Sequence, residues 1–164
     1  MYDVELLRKL GCSESVIKHC TTVSRKAVDI CNRVNIKVDR GLVRNGALMH
    51  DIGRSRTNGI THALIGAELA KKLGMDRRIV SIIERHIGAG ITAAEAVKLG
   101  LPSKDYCPKT PEEKIVAYAD SLTVGSKVIT FEESLNEFRK MLGSNHPSIE
   151  RMRALHDEIL WWSK

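Results

Sequence analysis

Apolar side chains recur along this chain at intervals of three and four residues, the spacing that places them on one face of an α-helix. The longest such helix is predicted from near Ser13 to about Asn35, with the stripe Val16, His19, Cys20, Val23, Ala27, Ile30 and Val34. No stretch alternates apolar and polar residues over more than a few positions, as a half-buried strand would. The pattern therefore predicts an all-α protein.

Residues suited to begin or end helices divide the rest of the chain. Gly53 and Gly74 are placed to end helices. Residues placed to begin them are Thr61, Asp76, Thr92 with Glu95 in a capping box, and Thr110 followed by Pro111. The predicted helices cover about 3–9, 13–35, 39–51, 61–73, 76–86, a short segment after 92, 110–123, 131–142 and 148–162, with a loop at 54–60. Because no repeat or linker interrupts them, residues 1–164 are expected to form a single domain.

The composition narrows the class of protein. No apolar run approaches the roughly 20 residues that cross a bilayer, and nothing near the N-terminus has the order of a signal peptide. The four cysteines form no C-x-x-C pair, so neither a zinc knuckle nor a redox pair is predicted. Cys20 and Cys31 fall on apolar helix faces and are expected in the core. We therefore expect a cytoplasmic protein with reduced thiols.

The net charge of +6 concentrates anions near the protein. Aromatic residues make up only 4% of the chain, which disfavours stacking platforms for single-stranded nucleic acid. The basic residues are dispersed, and no nucleic-acid motif is visible, so a nucleic-acid partner is disfavoured. A phosphorylated small-molecule substrate is the preferred interpretation. A basic surface that only keeps the protein soluble remains the alternative.

Several residues able to bind a metal interrupt the apolar stripes of the predicted helices. They are His19, Asp51, His62, His86 and Asp120, and His50 directly precedes Asp51. Burying an ionisable group among aliphatic side chains costs several kcal/mol unless a partner compensates it. One bound cation explains all of these positions more simply than separate accidents. Imidazole and carboxylate donors together favour Fe, Mn, Co, Ni or Zn over Ca.

The order of these residues carries a family resemblance. His19, then His50-Asp51, then Asp120 resembles the H…HD…D signature of the HD superfamily of metal-dependent phosphohydrolases. The run from His50 to Gly53 corresponds to the HDIG subgroup. The resemblance covers about residues 15–125 and leaves the helices predicted at 131–162 outside it. The pattern is similar to bacterial HD-type diadenosine tetraphosphate hydrolases, and the whole chain is more weakly similar to uncharacterised archaeal HDIG proteins.

The resemblance implies a helical bundle with a metal site between its helices. It implies that one ion is held by His19, His50, Asp51 and Asp120. In two-metal members of the superfamily, histidines at the positions of His62 and His86 hold a second ion, and the carboxylate at the position of Asp51 bridges. A dinuclear centre is therefore expected, with His50 and Asp51 as its catalytic residues.

Other residues receive weaker predictions. Arg54 and Arg56 follow the His50-Asp51 pair and could bind a substrate phosphate, although solvated loop arginines are the alternative. Glu84 and Arg85 could contact His86 and orient its ring without binding the metal themselves. His146 and His156 lie beyond the motif and are expected to pack or to face solvent. Trp161-Trp162 could form a homodimer contact or pack back on the core.

One departure from a related motif and two alternative functions accompany the leading interpretation. Ile87 stands where cyclic di-GMP phosphodiesterases of the HD-GYP type have a second histidine, and no Gly-Tyr-Pro follows, which argues against that substrate. Some HD relatives use a di-iron centre for oxygen-dependent cleavage of carbon bonds. A non-catalytic module that senses nucleotides is the second alternative.

Overall fold

The computed structural model describes residues 2–164, and their regular secondary structure is helical apart from one short two-stranded ribbon. The helices are α1 Val4–Lys9, α2 Glu14–Cys31, α3 Arg40–Met49, α4 His62–Lys72, α5 Arg77–Glu84, α6 Ala93–Lys98, α7 Pro111–Ser121, α8 Phe131–Leu142 and α9 Pro147–Trp162. A 3₁₀ turn, Ile52–Ser55, follows α3, and the antiparallel strands β1 Thr123–Val124 and β2 Lys127–Val128 follow α7. The predicted all-α class is confirmed; strands of two residues are too short to leave a periodic pattern.

Local capping chemistry accounts for most helix starts. Asp76 accepts a hydrogen bond from the backbone of α5, Thr92 forms the predicted capping box with Glu95, and Thr110 caps α7 ahead of a proline. The cap predicted at Thr61 is wrong, because its backbone is already helical and its side chain makes no capping bond. The predicted end of α2 is also wrong by several residues, since its C-cap is Asn32.

Helices α2, α3, α5 and α7 pack together around the main core, and α4 packs along α5. Their apolar stripes supply side chains that are almost completely buried, among them Val23, Met49, Ile83 and Ile115. The packing brings the last turns of α3, α5 and α7 and the first turn of α4 to one region of the bundle. That convergence positions the candidate metal ligands.

The C-terminal helices share the same core. Leu135 of α8 and Met152 of α9 are fully buried and belong to the main core. Trp162 is only 8% exposed and packs on the core, whereas Trp161 is 69% exposed and lies on the surface. Cys20 and Cys31 are buried, as predicted. Within residues 2–164, no helix combines the length and apolar character needed to cross a membrane.

Candidate metal centre

The turn after α3 presents two adjacent polar residues to the interior. His50 is the C-cap of α3, and Asp51 precedes the 3₁₀ turn. Gly53 then lies directly against the first turn of α4, because a Cβ there would stand 1.9 Å from the carbonyl oxygen of His62. The absence of a side chain at Gly53 thus lets Asp51 and His62 lie side by side.

Asp51 is the centre of the arrangement, and its two oxygens face different histidines. Oδ1 lies 3.1 Å from Nε2 of His62 and 3.4 Å from Nε2 of His86. Oδ2 lies 3.6 Å from Nε2 of His50 and 3.9 Å from Nε2 of His19. A carboxylate with this geometry is suited to bridge two cations.

Asp120, in the last turn of α7, completes the cluster on the side of His19 and His50. Its Oδ1 lies 2.9 Å from Nε2 of His19 and 3.4 Å from Nε2 of His50. The ligand atoms form three groups, each mutually within 4.8 Å: His19, His50 and Asp51; His50, His86 and Asp120; Asp51, His62 and His86. The structure therefore brings all six predicted ligands together.

Backbone carbonyls hold the far nitrogen, Nδ1, of each of the four imidazoles in the cluster. Nδ1 lies 2.7 to 2.8 Å from one carbonyl oxygen in each of the pairs His19–Gly125, His50–Ala47, His62–Gly59 and His86–Ile83. Because a carbonyl can only accept, each Nδ1 carries a proton and donates it. The Nε2 of a neutral ring then presents a lone pair to the centre, which is how metal-binding histidines are usually oriented.

The donor set fits a divalent transition metal. Within residues 2–164, Nε2 of His50 and Oδ1 of Asp51 are buried and have no hydrogen-bond partner. Nε2 of His62 lies 3.1 Å from Nε2 of His86, which places two lone pairs face to face. Buried polar atoms without partners are costly. A cation among these atoms would satisfy all of them.

Electrostatics at the centre are dominated by burial and by the two carboxylates. Burial opposes the charged form of Asp51 and Asp120, but the neighbouring imidazoles outweigh it and hold the pKa of both carboxyls below their ordinary range. Burial also opposes a charge on His50, yet Asp51 and Asp120 raise its pKa to about 9, so a metal binding at its Nε2 would displace a proton from that atom. At His86 burial prevails and lowers the pKa. The carboxylates thus stay ionised and attract positive charge.

The two predicted phosphate-binding arginines occupy different environments. Nε of Arg54 donates a hydrogen bond to Oδ2 of Asp51 over 2.7 Å, and its side chain lines a cleft at the centre. Arg56 is exposed and is not among the described residues that line this cleft. Of these two arginines, Arg54 is therefore the one that contacts a residue of the cluster and lines the cleft beside it.

The predicted support of His86 by its neighbours is wrong. Arg85 pairs with Glu113 over 2.9 Å, and Glu84 pairs with Lys104 over 2.7 Å. The actual partner of His86 is the carbonyl of Ile83, which sequence reasoning missed because every residue has a carbonyl.

The two C-terminal histidines take part in local packing. His156 stacks on Phe131 and shares a hydrogen bond with Tyr118. His146 caps α9 by accepting a hydrogen bond from the backbone of Ser148. Both lie apart from the six-residue cluster, as predicted.

A sequence profile described as the HD domain matches residues 16–125, which include His19, Asp51 and Asp120. The chain belongs to the HD-domain family. The resemblance inferred from the ordered motifs is thereby confirmed. The match ends at Gly125, so α8 and α9 of this HD-domain protein lie outside it.

Curated relatives of this HD-domain chain carry several names. It is 52% identical to an uncharacterized protein of Methanocaldococcus jannaschii over 95% of this chain and 94% of that protein. It is 46% identical to a Thermoplasma volcanium protein named tRNA (cytidine(56)-2'-O)-methyltransferase, over 93% of this chain but only 44% of that protein. It is 37% identical to Ribonuclease Y of Acidothermus cellulolyticus over 54% of this chain and 20% of that protein. The chain thus spans less than half the length of the relatives that carry an enzyme name here.

Among solved structures, the chain is similar to the HD domain of the phosphodiesterase PgpH of L. monocytogenes in complex with cyclic-di-AMP. The TM-score is 0.60 over 96% of this chain and 94% of that chain, at 20% sequence identity. At this level of identity the likeness establishes the HD-type helical fold.

Proposed function

We propose that this protein is a metal-dependent phosphohydrolase that acts on a nucleotide or another phosphorylated small molecule at a dinuclear centre. The observation that carries the proposal is the position of Asp51, whose two oxygens face separate groups of Nε2 atoms. Membership of the HD-domain family supports it. The similarity to a phosphodiesterase agrees with it at the level of the fold.

The geometry suggests which residues hold each ion. His19, His50, Asp51 and Asp120 would hold the first, while His62 and His86 would hold the second together with Asp51. Two such ions would lower the pKa of bound water toward neutrality and would stabilise the charge on phosphoryl oxygens.

The residues around the centre prepare it for an anionic substrate. The carbonyls behind the four imidazoles fix each ring in the orientation that presents Nε2. Arg54 donates from Nε to the carboxylate of Asp51 and from Nη1 to the carbonyl of Asn58 over 3.4 Å, and it lines the cleft, where its guanidinium would be available to a bound phosphate. The net charge of +6 favours the approach of phosphorylated molecules.

The decisive experiment measures metal content and hydrolysis on the same protein. The chain is purified without oxygen, analysed for metals, and reconstituted separately with Fe, Mn, Co, Ni and Zn. It is then screened against phosphomonoesters, dinucleoside polyphosphates and cyclic nucleotides. Because some relatives are named ribonuclease or tRNA methyltransferase, short RNA belongs in the screen.

We expect bound transition metal and hydrolysis of at least one class of phosphoester. Asp51→Asn should lower kcat by about 10³ or more, since it removes the charge of the proposed bridge. Asp39→Asn, which alters the exposed N-cap of α3, serves as the control. Full activity in Asp51→Asn, or hydrolysis without any metal, would contradict the proposal. Oxygen consumption by the iron form without phosphoester cleavage would favour the di-iron oxygenase, and nucleotide binding without turnover would favour the sensor.

A further inference from the structure

The wall of the cleft opposite the metal ligands comes from a different part of the chain. A cavity of about 250 Å³ begins at His19, Asp51, Arg54 and Asp120. Its other side is lined by Val124 and Ile129, from the ribbon and the segment after it, and by residues of α8. Most of this wall lies beyond residue 125, where the HD-domain match ends. Its chemistry is therefore a property of this chain rather than of the family motif.

The hydroxyl groups that line the cleft already donate hydrogen bonds to backbone carbonyls of the protein. Ser121 Oγ donates to the carbonyl of Ala117 over 2.8 Å, and Thr123 Oγ1 donates to that of Ala119 over 2.9 Å. Ser134 Oγ donates to the carbonyl of Ser121 over 2.6 Å. A second phosphate or a sugar hydroxyl that needs a donor would find none among these groups.

What remains on the wall is mostly apolar. Val124, Ile129, Phe138 and Met141 line the cleft, and at its mouth Val124 is 56% exposed and Met141 is 73% exposed. Apolar and aromatic side chains beside a few polar groups are the usual surroundings of a bound planar ring. A nucleobase is read in this way by stacking against apolar and aromatic side chains.

Glu137 is the one ionisable side chain on this wall among the described residues. Its Oε1 pairs with Lys140 over 2.8 Å at the surface, where such pairs contribute little, and Oε2 makes no side-chain hydrogen bond among residues 2–164. An ionised carboxylate accepts hydrogen bonds and cannot donate them. It therefore disfavours a phosphate at this place and favours the N–H edge of an uncharged ring.

We propose that the cleft between the β1–β2 ribbon and α8 binds the nucleobase of a nucleoside phosphate, with the ring against Phe138 and Met141 and an N–H edge on Glu137. Guanine presents two adjacent N–H donors on one edge, whereas adenine presents one amino group beside an acceptor. Glu137 thus selects guanine over adenine. The inference rests on the proposed function, because it takes the metal centre as the place where the phosphate binds.

The test measures binding, which does not depend on turnover. Titration calorimetry of the Mn²⁺-loaded protein compares guanosine 5'-monophosphate, adenosine 5'-monophosphate and ribose 5-phosphate, which differ only in the base. Guanosine 5'-monophosphate should bind at least ~10-fold more tightly than ribose 5-phosphate, the order of discrimination that an apolar pocket provides. Adenosine 5'-monophosphate should lie between the two.

Surface variants assign the effect to side chains without endangering the core. Met141→Ala should weaken binding of guanosine 5'-monophosphate by about fivefold relative to ribose 5-phosphate, because an apolar contact with the base is lost. Glu137→Gln should abolish the preference for guanine over adenine. Leu142→Ala is the matched control, since Leu142 is the next residue of α8, is 38% exposed and does not line the cleft.

Equal binding of the three phosphates, or the same loss in Leu142→Ala as in Met141→Ala, would overturn the base-binding cleft. The proposed hydrolase is tested separately. Base-dependent binding without cleavage of any phosphoester would overturn the hydrolase and leave the cleft standing. Cleavage with no dependence on the base would do the reverse.

Discussion

The backbone carbonyl of Gly125 lies 2.7 Å from Nδ1 of His19, and the two residues are 106 positions apart in the chain. The turn of the β1–β2 ribbon therefore orients one of the proposed metal ligands. Gly125 occupies the left-handed region with φ +58°, which favours glycine. A small turn thus contributes to the metal centre through its backbone alone.

Gly125→Val should weaken metal binding at the His19 side of the centre. A β-branched residue is strained at positive φ, so the turn should shift and its carbonyl should leave Nδ1 of His19. Loss of such support typically lowers metal affinity by about 10- to 100-fold. Gly100→Val is the matched control, because Gly100 also has positive φ and open space around it but lies away from the centre. Metal titration that shows equal affinities for the two variants would contradict this role.

Arg54→Ala should reduce kcat/KM for the phosphoester identified by the screen by about 10- to 100-fold. The substitution removes the donor that holds Oδ2 of Asp51, together with a cation beside the cleft. Arg56→Ala should remain within about twofold of the wild type, because exposed side chains away from such features rarely matter. Steady-state kinetics on both variants provide the comparison. An equal loss in both would show that overall positive charge, rather than position, is responsible.

Removal of metal should destabilise the protein. The unsatisfied Nε2 of His50 and the facing Nε2 atoms of His62 and His86 make the centre costly to bury without a cation. A metal ion present at a free concentration of 100 times its Kd raises the free energy of unfolding by about 2.7 kcal/mol. For a domain of this size, that corresponds to a rise in Tm of about 5–10 °C.

Differential scanning fluorimetry after chelation, and after addition of Mn²⁺ or Zn²⁺, measures this shift. Ca²⁺ is the control ion, since it prefers oxygen ligands to imidazole. A Tm that does not respond to transition metals, or that responds equally to Ca²⁺, would argue against the centre.

Gly53→Ala should destabilise the fold by about 3 kcal/mol or more, at the upper end of overpacking effects. The new Cβ would stand 1.9 Å from the carbonyl oxygen of His62 and 2.7 Å from the amide nitrogen of Gly66, and backbone atoms cannot move aside independently. Gly41→Ala is the control, since its nearest contact, Asp39 Oδ1 at 3.4 Å, is an ordinary one. In urea unfolding, the midpoint of Gly53→Ala should lie clearly below that of Gly41→Ala. Similar midpoints would contradict the close approach.

The sequence predicted the elements that rest on local chemistry. The stripe through Val23 and Ala27 predicted α2, and the Thr92 capping box predicted α6, because both depend on neighbours within a few residues. It could not predict the end of α2 at Cys31, where continued apolar spacing through Val34 resembles further helix. Val34 is buried, but in the segment after the helix.

At the candidate centre, too, some features could be predicted from the sequence and others could not. The six candidate ligands could be chosen because ionisable residues stood on apolar stripes in a recognisable order. The backbone carbonyls that orient the histidines, such as those of Gly125 and Ile83, could not be predicted, because every residue has a carbonyl and the sequence does not show which one is used. Arg85 illustrates the limit: it is adjacent to His86 in the chain, yet its partner is Glu113, 28 positions away.

Helix α8 forms a wall of the cleft but contributes none of the six ligands. In the proposed scheme, the residues that hydrolyse the substrate and the residues that select it therefore lie in separate stretches of the chain. Exchanging the exposed surface of α8 should then change which phosphate compound is bound while the proposed metal centre stays unaltered. One ancestral scaffold could supply enzymes of many preferences in this manner.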